Sequence, residues 1–185
     1  AGPGGKARLL AGLAVERGAA VTAAERRERR ARLVAAAVAR AGSCRVVVAD
    51  STRPGWQLGR FDRVIADVPC SGLGALRRRP EARWRRTAAD VAALGSLQRD
   101  LLSAALDSAR RGGVVGYVTC SPHPAETRDV VADVLARRGD AAVLDAPALL
   151  PEVPDLGCGP DNRYAQFWPH RHGTDAIFLA LLRRR

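Results

Sequence analysis

Methionine is absent from the 185 residues, lysine occurs once, as Lys6, and aromatic residues make up only 4%. Without a start residue, the chain is expected to be a fragment of a longer protein. It opens on Ala1-Gly2-Pro3-Gly4-Gly5-Lys6, which reads as a loop whose preceding strand is missing. No apolar run approaches the roughly 18 residues of a membrane span, and no secretory leader is visible, so a cytoplasmic protein without a membrane partner is expected. The four cysteines, Cys44, Cys70, Cys120 and Cys158, are far apart and show no C-x-x-C spacing. That argues against a zinc site and a disulfide framework. Histidine is also scarce, at three residues, of which His170 and His172 share one loop; no metal is expected.

Basic charge, in contrast, is abundant. The net charge is +11 with an isoelectric point near 11.1, which favours a polyanionic partner such as RNA or DNA. Because all other basic residues are arginine, Lys6 marks a position that needs a compact ammonium. An apolar fraction of 47% is enough for a core, and the length fits one domain, residues 1–185.

Strand-like and helix-like segments alternate, which predicts an α/β fold with a mostly parallel sheet. Helices are expected over Gly5–Arg17, Arg26–Ala41 (with Leu33, Ala37 and Val38 inward), Thr87–Arg111 and Pro124–Arg138. Thr87 is placed to cap the third, and Gly112-Gly113 to stop it. Strands are expected at Ala20–Ala24, Arg45–Ala49, Phe61–Ala66, Val114–Val118 and Ala176–Leu182, with an edge strand at Ala142–Leu144. Residues 146–174 read as a long Pro/Gly-rich connection.

Acids stand at three strand ends: Glu25, Asp50 and Asp67. Glycines let backbone N–H groups approach a ligand, and Glu25 lies about twenty residues beyond the glycine loop, the spacing of a carboxylate that grips ribose hydroxyls. Asp50 is placed to read an adenine amino group. NAD and S-adenosylmethionine both fit such a pocket, and the lack of G-x-G-x-x-G disfavours NAD. For S-adenosylmethionine, helix N–H groups would hold the carboxylate and Asp67 the ammonium.

Cys70 (Asp67-Val68-Pro69-Cys70-Ser71-Gly72) and Cys120 (Thr119-Cys120-Ser121-Pro122) each follow a strand, in turns that expose a thiol. Two thiols at neighbouring strand ends can serve one carbon. A thiolate added to carbon 6 of a pyrimidine makes carbon 5 nucleophilic enough to accept a methyl group, and a base must then remove the carbon-5 proton. Asp67 is positioned to hydrogen-bond cytosine. The residues alone leave open which thiol attacks. Cys44 and Cys158 are expected to be small core residues. After Cys70, Arg77, Arg78, Arg79, Arg83 and Arg85 surround Trp84, a set suited to pairing phosphates and stacking a base; the alternative is that Trp84 packs in the core.

The segments AGPGGKA, DVPCSGLGALRRRPEARW, LQRDLL, GYVTCSPHPAET and HGTDAIF together resemble the catalytic domain of the RsmB-type (Sun/Fmu-like) RNA cytosine-5 methyltransferases. The resemblance implies a seven-stranded Rossmann-like methyltransferase fold lacking its first strand here, with upstream RNA-binding domains absent. It implies Cys120 as the nucleophile and Cys70 as the residue assisting proton removal and release. It also implies S-adenosylmethionine held by Ala1, Gly2, Pro3, Gly4, Gly5, Lys6, Glu25, Asp50 and Asp67, and 16S ribosomal RNA as the substrate. Ala176-Ile177 and Glu126-Thr127 depart from the commoner family residues. A non-catalytic RNA-binding module, or a methyltransferase acting on DNA or tRNA, is the alternative.

Overall fold

The computed structural model describes residues 1–185, which divide into two units, Ala1–Trp56 and Gln57–Arg185. In the first, helix α1 (Gly5–Glu16) is followed by strand β1 (Val21–Glu25), helix α2 (Glu28–Val38) and strand β2 (Cys44–Val48). The two strands pair in parallel from Val21 opposite Cys44 to Glu25 opposite Val48. Ala7, Ala23, Val34 and Val38 form the core, with Cys44 and Val46 packed against it. The inward stripe of α2 is Ala31, Val34 and Val38, while Leu33, expected inside, is exposed. Small residues on that stripe allow close approach. A Cβ on Gly4 (φ +118°) would lie 2.7 Å from Ala37 Cβ and 3.2 Å from the Val34 Cα.

The second unit begins with β3 (Phe61–Asp67), a short helix α3 (Ala82–Arg85), α4 (Ala88–Ser108) and β4 (Ala109–Thr119). It continues with α5 (Arg128–Ala136), β5 (Ala141–Leu144), β6 (Gly157–Cys158), β7 (Tyr164–Gln166), the short α6 (Pro169–His172) and β8 (Phe178–Arg184). The sheet order is β3-β4-β8-β7-β6, with β5 also on β8. The expected parallel pairing holds for β1/β2 and β3/β4; every ladder beyond β4 is antiparallel. The short pair β6/β7, inside the predicted 146–174 connection, raises the number of strands in this chain to eight, against the six expected.

Thr87 caps α4 as expected. Its hydroxyl accepts from the Asp90 N–H, and the Asp90 carboxylate accepts from the Thr87 N–H at 2.8 Å. The helix ends at Ser108, earlier than the glycine pair suggests. Gly112 (φ +76°) and Gly113 instead shape a bulge, across which Phe61 faces Ala109 and Arg63 faces Val114. A Cβ on Gly113 would sit 2.8 Å from Arg110 O and 3.0 Å from Phe61 O. The helix expected from Pro124 is split: a 3-10 turn covers Pro124–Glu126, and α5 starts at Arg128, because Thr127 leaves helical geometry (φ −123°, ψ −106°).

The core lies between the sheet and α4/α5. Alternate residues of β8, Phe178, Ala180 and Leu182, meet Leu102 and Leu106 of α4 and Val130, Val131 and Val134 of α5. Phe178 makes edge contacts with Tyr117 and Tyr164 at centroid distances of 6.3 and 5.4 Å. No helix is long and apolar enough to cross a membrane.

Candidate active site

The parallel pairing of β3 with β4 sets the two reactive turns side by side. Asp67 closes β3 opposite Val118, and Val68 N–H donates to Val118 O at 3.1 Å. Cys70 follows three residues after Asp67 and Cys120 two after Val118, so both leave the same edge of the sheet. Both are half-buried, and Asp67 is exposed. Burial pushes the Cys70 thiol up to about 11, and the negative charges of Glu126 and Cys120 add to that rise.

Glu126, which sequence reasoning treated only as a family departure, is fully buried beneath the Cys70 turn. Its carboxylate accepts from Ser71 N–H at 2.6 Å, Ser71 Oγ at 2.5 Å and Gln98 Nε2 at 3.3 Å. Gln98 Nε2 also donates to Pro69 O at 2.9 Å. The residues on each side of Cys70 are therefore hung from one buried pair. Gln98 could have been found from its spacing: it shares a stripe with Val91, Gly95 and Leu102, all buried, where a polar residue needs a partner.

A third segment joins these turns. Gly74 N–H donates to Cys120 O at 2.9 Å, and Ala176 N–H donates to Gly74 O at 2.8 Å. Next to Ala176, the Asp175 carboxylate receives both Nε and Nη2 of Arg78, with Arg77 Nε at 3.8 Å. Those hydrogen bonds hold the Asp175 carboxyl below its ordinary range. Arg78 is in turn raised chiefly by Asp175, with a smaller contribution from Cys120, so a guanidinium lies within electrostatic reach of that thiol. Ser121 is buried, its Oγ accepting from His123 N–H at 3.1 Å, and His123 Nδ1 accepts locally from Ala125 N–H.

The remaining arginines of this segment lie on and just before the short helix α3 and are exposed. Trp84 is 84% exposed, which excludes core packing, and the Arg83 guanidinium lies 5.7 Å from its ring centroid. Arg79, Arg83 and Arg85 are exposed as well. Cys44 and Cys158 pack against apolar clusters, as expected of small core residues. No group of three or more His, Cys, Asp or Glu is placed to hold a metal ion.

In the first unit the structure gathers the glycine loop and Glu25. Glu25 Oε2 accepts from Gly2 N–H at 2.9 Å, Oε1 from Arg27 N–H at 3.2 Å, and the Ala1 nitrogen lies 3.3 Å from Oε2. Burial opposes ionisation of Glu25, but the Gly2 and Arg27 N–H donors outweigh it and bring the carboxyl to about 2. Arg30 Nη2 donates to Gly2 O at 2.8 Å and ties the loop to α2. Asp50 accepts from Thr52 Oγ1 at 2.7 Å and Thr52 N–H at 3.0 Å, which together hold its carboxyl below the usual range. Gly4 and Gly5 start α1, and Lys6 is exposed in its first turn; Pro3 precedes them.

The family profile described as 16S rRNA methyltransferase RsmB/F matches residues 1–183. The chain belongs to the RsmB/F family. Among relatives, "Putative methyltransferase Rv1407" of Mycobacterium tuberculosis is 55% identical over 184 residues, covering 100% of this chain and 39% of the relative. Ribosomal RNA small subunit methyltransferase B of Vibrio cholerae is 34% identical over 145 residues, covering 77% of this chain and 31% of the relative. The chain thus spans well under half the length of these RsmB/F relatives. Among solved structures, NSun6 from Pyrococcus horikoshii with SFG superposes with a TM-score of 0.80 at 27% identity, covering 98% of this chain and 45% of that one. The crystal structure of PH0851 gives 0.81 at 25% identity, covering 89% and 37%. The fold is accordingly the Rossmann-like fold of S-adenosylmethionine-dependent methyltransferases.

Proposed function

We propose that this chain carries the methyl-transfer chemistry of an RNA cytosine-5 methyltransferase, acting on 16S ribosomal RNA. The observation that carries the reading is the meeting of the two cysteine turns at one edge of the parallel β3/β4 pair, with Gly74 N–H, just beyond Cys70, bonded to Cys120 O at 2.9 Å. Membership of the RsmB/F family and the relatives named for ribosomal RNA methylation support RNA as the substrate. The cofactor residues fit S-adenosylmethionine in kind: carboxylates at the ends of β1 and β3 and just beyond β2 suit hydroxyl, ammonium and amino groups, and a glycine loop opens α1. When bound, S-adenosylmethionine supplies the methyl group. Ala1 to Lys6, Glu25, Asp50 and Asp67 are the residues that would hold it.

In this mechanism the Cys120 thiolate adds to carbon 6 of cytosine, breaking the 5,6 double bond and placing electron density on carbon 5. Asp67 accepts from the amino group of cytosine, and from its ring nitrogen once addition has protonated it. After methyl transfer the carbon-5 proton passes to solvent, which restores the double bond and expels the Cys120 thiolate, with Cys70 assisting this release. A base must leave its stack to reach these half-buried thiols, and Trp84 offers a stacking face while Arg79, Arg83 and Arg85 pair phosphates. Arg77 and Arg78 belong to the same basic segment, anchoring it through Asp175.

The test is adduct formation with RNA containing 5-fluorocytosine in the presence of S-adenosylmethionine, read as a denaturant-resistant gel shift. The unsubstituted chain is expected to form it, Cys120→Ala to lose it and Cys70→Ala to retain it. An undiminished adduct in Cys120→Ala overturns the assignment, and no adduct in any form favours a non-catalytic RNA-binding module.

A further inference from the structure

Glu126 is a fully buried carboxylate in the second unit. A buried carboxylate without donors is costly, and each donor here belongs to the support of Cys70. Ser71, immediately after Cys70, gives both its N–H and its hydroxyl, and Gln98 bridges Glu126 to Pro69 O, immediately before Cys70. Glu126 itself stands in the 3-10 turn that follows Cys120. The buried Tyr117 hydroxyl donates to Glu126 O at 2.8 Å, and Glu126 N–H donates to His123 O at 3.0 Å. One side chain therefore ties the turn carrying one thiol to the segment carrying the other.

We propose that Glu126 is a positioning residue that assigns different duties to the two cysteines, by fixing the Pro69–Ser71 turn and setting a negative charge against Cys70. The inference rests on the two-cysteine reading above. The titratable groups facing Cys70 are Glu126 and Cys120, with Tyr117 beside them. Burial first, then the Glu126 and Cys120 charges, raise the Cys70 thiol to about 11. A thiol held protonated does not compete for carbon 6. It leaves addition to Cys120, which lies within electrostatic reach of the Arg78 guanidinium. Cys70 is thereby kept out of the addition step.

The experiment is pulse alkylation of the chain with iodoacetamide across pH 6 to about 10.5, with each cysteine followed by peptide mass spectrometry. Cys70 labelling is expected to keep rising to the top of that range. In Glu126→Gln, the profile is expected to move down by about one pH unit, which is about tenfold faster Cys70 labelling at pH 8. Glu126→Asp, which keeps the charge, is expected to hold the profile high. A Glu126→Gln protein that is folded by circular dichroism yet has an unshifted profile overturns the proposal. If Glu126→Gln does not fold, the unsubstituted chain decides: Cys70 labelling that levels off by about pH 9, the ordinary thiol range, overturns it. The readout is a thiol titration rather than methyl transfer, so its failure is distinct from failure of the adduct test.

Discussion

Gly74→Ala tests the junction of the three segments around the cysteines. Gly74 is buried in the 3-10 turn Leu73–Ala75, between Cys120 O, which it bonds at 2.9 Å, and Ala176 N–H, which bonds its carbonyl at 2.8 Å. An added Cβ would run into Ala176 O and lie 2.8 Å from both C and O of Cys120. All of these neighbours are backbone, so no side chain can swing away. Overpacking costs about 1–3 kcal/mol and the two strained hydrogen bonds about 1 kcal/mol each, so the substitution should destabilise the second unit by about 3–5 kcal/mol. With a urea slope of about 2 kcal/mol/M, the unfolding midpoint should fall by about 2 M. Gly72→Ala is the matched control. Its φ of +77° is unfavourable for alanine, yet nothing lies within 4 Å of a Cβ there, so the cost should be about 1 kcal/mol. Gly139→Ala, in open space without positive φ, should leave the midpoint within about 0.2 M. A Gly74→Ala midpoint no lower than that of Gly72→Ala would refute the close approach.

The other expectations concern RNA, acid and the thiols. Trp84→Ala should leave the urea midpoint unchanged, because the ring is exposed, but weaken binding of single-stranded RNA about tenfold by fluorescence anisotropy at fixed salt; unchanged affinity would remove Trp84 from the RNA surface. Glu25, lowered from 4.5 to about 2, stabilises the folded first unit above pH 4.5, and that contribution is lost as pH falls toward 2. Glu25→Gln should therefore flatten the fall of the urea midpoint across this window, and an unaltered slope would show that its hydrogen bonds to Gly2 and Arg27 carry no net stability. With ordinary RNA and S-adenosylmethionine, Cys70→Ala should accumulate the covalent adduct that the unsubstituted chain releases, seen as a persistent gel shift; prompt turnover would place release elsewhere.

The cysteine turns were legible because each follows a short apolar strand and carries its own turn chemistry, Pro-Cys-Ser-Gly or Thr-Cys-Ser-Pro. The Thr87 cap was legible for the same local reason, with Asp90 three residues on. Glu126 was not, because a three-residue 3-10 turn has no periodicity to mark its inward side. Nor was the bond between Arg78 and Asp175, 97 residues apart, which no local signal specifies. Gly112-Gly113 shows a different limit. Two glycines suit a helix stop and a bulge equally, and only the pairing of β4 with β3 selects the bulge.

Strand β8 has a consequence for how the second unit assembles. Along one edge it pairs with β4 over Phe178–Arg183; along the other it pairs with β7 near Phe178 and with β5 from Leu181 to Arg184. Residues 178–184 are thus the interior strand around which the sheet closes, though they come last in this sequence. Contacts between Val114 and Arg183 close a long loop, and such topologies fold slowly. During synthesis β4, β5 and β7 emerge before their shared partner, leaving adhesive edges uncovered until translation reaches β8. Production of this unit should therefore depend on holding chaperones, and a premature stop codon before Phe178 should yield aggregate rather than a smaller soluble domain.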